Sequence, residues 1–207
     1  MSTVGKKARK ALLALAAITL PFLANTASSA ELILTNPDFS SGSAGWNPVI
    51  ISGYTGAGET GITFESGVVK LGRTGTPGEA QISQGFSVTG TQQVLLQFDY
   101  QWFSSNPPAT DIFTVTLKDS SPPGNDQVAF SQLSGAGTFQ PAHFQNIFTV
   151  NGDGTLVFYI KEFNNLVGTY VQIDNVSLTT VPLPAAAWLF GSALIGLVAV
   201  ARRKATA

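Results

Sequence analysis

The chain has 207 residues, 21 glycines, no cysteine, and charged side chains at only 11% of positions. Without cysteine there are no disulfides, thiolate metal sites or cysteine nucleophiles. The formal net charge of −1 hides a segregation: residues 31–180 hold all 12 acidic residues but only Lys70, Arg73, Lys118 and Lys161 as cations, a net of −8, which disfavours nucleic acid as a partner and fits a divalent cation or a neutral glycan better.

The chain opens on a basic cluster followed by an apolar run. Lys6, Lys7, Arg9 and Lys10 precede an apolar run from Ala11 to Ala24, and Ser28-Ser29-Ala30 supplies a small-residue ending. This order predicts a signal peptide over 1–30, cut by signal peptidase between Ala30 and Glu31. The apolar run is short for a membrane span of about 20 residues.

Residues 31–180 read as strands. In 94–103, Val94, Leu96, Phe98, Tyr100 and Trp102 fall on one face, and Gln97, Asp99 and Gln101 on the other. That is the period-2 pattern of a half-buried strand. Residues 111–118 repeat it with Phe113, Val115 and Leu117 inward, and 155–161 with Leu156, Phe158 and Ile160 inward. The stretches 80–88, 143–150 and 170–178 are further strands. Pro/Gly/Asn/Asp clusters at 106–111, 121–126 and 151–154 are turns. No long 3.6-residue pattern occurs in this region, so the fold expected is all-β, an antiparallel β-sandwich of jelly-roll type.

The last strand holds an irregularity. Val171 and Ile173 share one parity, but Val176 and Leu178 share the other. One apolar face is kept only if a residue is inserted near Asp174-Asn175, which predicts a β-bulge. A bulge there turns a carboxylate and a carbonyl outward, as an oxygen-rich calcium site requires. The alternative is that Asp174 and Asn175 satisfy local backbone groups.

The two ends of the domain carry a resemblance. ELILTNPDFSSGSAGW opens it and YVQIDNVSLT closes it. The Asn36-x-x-Phe39 turn, Gly45-Trp46 and the closing aliphatic-Asp-Asn-Val strand are similar to the galactose-binding-like jelly rolls of many carbohydrate-binding modules. The resemblance implies polysaccharide as a ligand class. It also implies a structural calcium ion with Asn36 and Asp38 brought beside Asp174 and Asn175. Ser40 stands where that family often has an acidic residue.

Other chemistry is sparse. His143 is the single histidine, without a nucleophile motif beside it, and reads as a turn or surface residue. Trp46 stands in a core position of the resembled family. Tyr54 and Phe103 are the aromatics expected to be exposed. No catalytic residue is assigned.

The tail begins with Val181, Pro182, Leu183 and Pro184, continues uncharged through 185–201 and ends in the basic segment 202–207. Seventeen uncharged residues span about 25 Å as a helix, the short end of the transmembrane range. Arg202, Arg203 and Lys204 then stop transfer and stay cytoplasmic. VPLPAAAWLFGSALIGLVAVARRK resembles the VPLPA variant of the PEP-CTERM sorting signals. That resemblance implies export across the inner membrane of a Gram-negative bacterium, transient anchoring, and cleavage near the prolines by an exosortase-type protease. Delivery is then to the cell surface or extracellular matrix. The function expected is a surface or matrix protein with a binding or structural domain for polysaccharide. A secreted polysaccharide-degrading enzyme and a permanently anchored single-span protein are the alternatives.

Overall fold

The computed structural model describes residues 33–54, 61–73, 77–104, 111–120, 126–133, 140–163, 169–181 and 193. The expected signal segment with its Ala30–Glu31 junction lies outside them. So do Pro182 to Pro184, the 185–201 span apart from residue 193, and Arg202, Arg203 and Lys204. Among the described residues no helix is long and apolar enough to cross a membrane.

Ten strands follow in order: β1 (Asn47–Gly53), β2 (Ile62–Glu65), β3 (Val68–Arg73), β4 (Gly78–Phe86), β5 (Thr91–Ser104), β6 (Ile112–Asp119), β7 (Gln127–Leu133), β8 (Ala142–Asn151), β9 (Gly154–Glu162) and β10 (Thr169–Thr180). They form two five-stranded antiparallel sheets, ordered β1-β4-β9-β6-β7 and β2-β3-β10-β5-β8. The all-β sandwich expected from the alternation is the fold.

The alternating residues build its core. Val94, Leu96, Phe98 and Trp102 of β5 are fully buried, as are Phe113 and Val115 of β6 and Leu156, Phe158 and Ile160 of β9. Phe98 sits at the centre. It stacks on Phe144 at 4.9 Å within its own sheet and meets Phe158 of the facing sheet edge-on at 5.2 Å. The buried Trp102 indole nitrogen donates to Gln132 at 3.2 Å, the partner a buried indole requires.

Four strands escape the alternation test. β1 and β7 are edge strands: β1 is mostly exposed, and the register of β7 against β6 shifts between Val115 and Thr116, which puts the adjacent Ala129 and Phe130 both against the core and breaks the alternation. β2 and β3 form a hairpin through Ser66 and Gly67, both at positive φ (49° and 84°). Two left-handed residues make the turn whose twist suits adjacent antiparallel strands. The consecutive valines 68 and 69 mask the strand that follows.

Candidate functional site

The bulge in β10 is where the parity switch puts it. Ile173 and Val176 are both buried, and the register against β5 shifts between Asp174 and Ser177. Asn175 adopts φ 50°, a left-handed conformation that asparagine tolerates better than most residues. Its side chain turns to β5, where Nδ2 donates to Asp99 Oδ2 at 2.8 Å. From the other flank β8 brings His143, whose Nδ1 lies 2.6 Å from Asp99 Oδ1. The His143 contact, and after it the Asn175 amide, hold the Asp99 carboxyl below its usual range.

Register extends this cluster into a strip on the outer face of the β2-β3-β10-β5-β8 sheet. Asp174 lies opposite Asp99, and Asp99 opposite His143. Two residues along, Gln172 lies between Lys70 and Gln101. Two further on, Tyr170 lies opposite Phe103, their rings stacked at 4.7 Å and 12°. The Lys70 ammonium stands 5.9 Å from the Tyr170 ring centre and pairs with Glu65 at 2.6 Å. At about 3.3 Å per residue the aromatic pair and the carboxylate are about 13 Å apart along the strands. At the carboxylate end lies a shallow depression of about 190 Å³ lined by Val68, Asp99, Tyr100, Gln101, Pro141, Gln172, Ile173 and Asp174.

A second hollow, of about 300 Å³, lies between the 36–46 turn and the β2–β3 hairpin. Its lining is Phe39, Ser40, Gly42, Phe64, Glu65, Ser66 and Gly67, in which Glu65 is the one charged group. The smaller depression gathers convergent polar side chains on the strip that continues to the Tyr170–Phe103 pair, and is therefore the better candidate.

The structure brings the chain's opening segment to the bulge, but the four residues expected around calcium face different partners. The Val176 amide donates to the Pro37 carbonyl at 2.9 Å, so turn and bulge adjoin. The Asn36 amide nitrogen donates to the carbonyls of Gly42 and Ala44, and its Oδ1 accepts from Ser41 N. Asp38 Oδ1 accepts from the Ser40 amide and hydroxyl, which lowers the Asp38 pKa. Asp174 Oδ1 accepts from Asn175 N at 2.6 Å. Among the described residues no group of three or more His, Asp and Glu side chains converges as a metal cage.

The Asn-x-x-Phe and Gly-Trp residues have a packing role. Phe39 and Trp46 are buried with ring centres 5.1 Å apart, and the Trp46 indole nitrogen donates to the Asn36 carbonyl at 3.0 Å. Gln84, itself buried, closes the turn by donating to the carbonyls of Thr35 and Gly45 and accepting from Thr35 N. Gly45 takes φ 80°, and a Cβ there would lie 2.8 Å from the Gln84 amide nitrogen.

Tyr54 corrects an expectation: it is not an exposed aromatic but 6% exposed, its ring seated against Gly61 and Gly78, where a Cβ would lie 2.5 to 2.7 Å from it. Burial, and next the charge of Glu162, push its phenol far above the usual range. Phe103 is on the outer face but half-buried, its ring covered on one side by Tyr170. Tyr170, Gln172 and the tie from Asp99 to His143 were not singled out by the sequence. The parity that places Gln97, Asp99 and Gln101 outward was the available signal.

The fold and this face define an all-β sandwich with an aromatic-polar strip on one sheet. No family model matches the chain, and no curated protein matches it. Solved structures with a similar architecture include a "Family 16 Carbohydrate Binding Module-2", at 13% identity and TM-score 0.47, over 70% of this chain and 98% of that one. A second is TmCBM61 in complex with β-1,4-galactotriose, at 14% and 0.44, over 72% and 97%. A third is the K3 cleaved adhesin domain of Lys-gingipain from Porphyromonas gingivalis w83, at 13% and 0.49, over 72% and 99%. Likenesses at this level carry nothing about a ligand.

Proposed function

We propose that the chain is an exported, non-catalytic polysaccharide-binding protein, and that the outer face of the β2-β3-β10-β5-β8 sheet is its binding surface. The observation that carries this is the strip itself. A stacked Tyr170–Phe103 pair offers apolar ring surface, and Gln101, Gln172 and Asp99 follow on the same face with amide and carboxylate groups suited to hydroxyls. Sugars present both surfaces, apolar C–H faces and a rim of hydroxyls. The acidic domain favours a glycan without negative charge. The test is calorimetric titration of the full-length protein with neutral hexasaccharides and with a polyuronate. Saturable binding of a neutral sugar supports the reading. Depolymerisation of a polysaccharide, or binding of the polyuronate alone, overturns it.

Export belongs to the same proposal. The 1–30 segment directs secretion, and the Val181–Pro184 motif with the 185–201 span and Arg202–Lys204 hands the domain to an exosortase-type protease. The product is a cell-surface or matrix protein. The proline motif supports this, since prolines resist helix and sheet and leave an extended segment for a protease.

A further inference from the structure

β10 is the central strand of its sheet, yet its ladder is broken at Asp174–Asn175. Pairing with β3 ends at Ile173, just before the break. A break in mid-sheet forgoes ladder hydrogen bonds, and bulges recur where a side chain has to be re-aimed. Here the re-aimed group is Asn175, whose amide reaches Asp99 from one flank while His143 reaches it from the other. A carboxylate offers about four lone-pair sites. The two neighbours take one on each oxygen, and the Asp99 side chain remains 43% exposed on the wall of the depression. The result is an oriented carboxylate with accepting capacity left on both oxygens. Two hydroxyls on adjacent ring carbons match that spacing.

We propose that Asp99 is the specificity-determining acceptor of this face, taking a vicinal pair of hydroxyls from a pyranose, and that Asn175, turned by the bulge, is its positioning residue. The proposal rests on the glycan reading above and narrows it. Rings with two adjacent free hydroxyls fit; rings in which an acetamido group replaces one of them do not. The groups facing Asp99 are His143 on β8 and Asp174 and Asn175 on β10; Lys70 on β3 is engaged by Glu65 on β2. Both direct partners favour the carboxylate over the acid, so binding persists as the pH falls into the ordinary carboxylate range.

Asn175→Gly separates positioning from folding, because glycine accepts the left-handed backbone without strain and removes only the amide. The full-length protein and this variant are titrated with cellohexaose, xylohexaose, mannohexaose and N-acetylchitohexaose at pH 7 and pH 4. The wild type is expected to bind at least one of the first three, and N-acetylchitohexaose more weakly. The variant is expected to melt at the same temperature or higher and to bind about tenfold more weakly, with the larger loss at pH 4. Asp99→Asn is expected to abolish binding at both. Equal affinity of variant and wild type at both pH values overturns the positioning role, and tight binding of N-acetylchitohexaose overturns the diol specificity. If the wild type binds none of the four sugars, the glycan reading falls and this proposal with it.

Discussion

The His143 imidazole and the Asp99 carboxylate meet at 2.6 Å across β8 and β5 on an open sheet face. The contact sets a pH dependence. The Asp99 pKa is lowered in the folded protein, so its stabilising contribution is present above the unfolded carboxylate value and lost as the pH falls through the folded value. The melting-temperature gap between wild type and Asp99→Asn is therefore expected to narrow below the ordinary carboxylate range of about pH 4. Thermal scans from pH 7 to pH 2 measure it. A gap that stays constant to pH 2 contradicts the assignment.

Asn36 organises the opening turn through three side-chain hydrogen bonds and a left-handed φ of 49°. Asn36→Ala is expected to cost about 2–3 kcal/mol, since it strips partners from backbone groups and places alanine at positive φ. Gly45→Ala is expected to destabilise as well, because its Cβ would strike the Gln84 clamp. Urea unfolding of each variant gives the value. A cost below about 0.5 kcal/mol for Asn36→Ala would show the turn to be held by Phe39, Trp46 and the Gln84 clamp without it.

Phe98 joins the sheets through its edge-on contacts with Phe158 and Phe113, and stacks on Phe144 within its own sheet. Truncation to alanine is expected to cost about 3–5 kcal/mol and substitution by leucine far less. Chemical denaturation distinguishes them. Equal losses would point to strain rather than a cavity.

The export proposal is read by intact mass of the protein recovered outside the cell. It is expected to lack residues 1–30 and most of 185–207. Recovery of Arg202, Arg203 and Lys204 in that product contradicts processing and favours a permanent anchor.

Much of the architecture was legible in residues 94–103, 111–118 and 155–161, because a two-sided sheet imposes period 2 on its side chains. The bulge was legible for the same reason: Ile173 and Val176 are inward together only if one residue is extra. The site was less so. Asp99 meets His143 from 44 residues away and Asn175 from 76, and strand order decides such meetings. Tyr54 misled because it follows an exposed edge strand; only Gly61 and Gly78, whose missing side chains make room for its ring, would have disclosed its burial. The Ser66-Gly67 turn signal was present, but the valines beside it obscured the hairpin.

The most direct test of the central claim is binding of neutral hexasaccharides by the full-length protein and by Tyr170→Ala and Phe103→Ala. Both rings are on the outer face and away from the core contacts of Phe98, so both variants should stay folded. The wild type is expected to bind, and each variant to lose at least about tenfold in affinity with little change in melting temperature. Unchanged affinity in both variants, or no neutral sugar bound by the wild type, would contradict it.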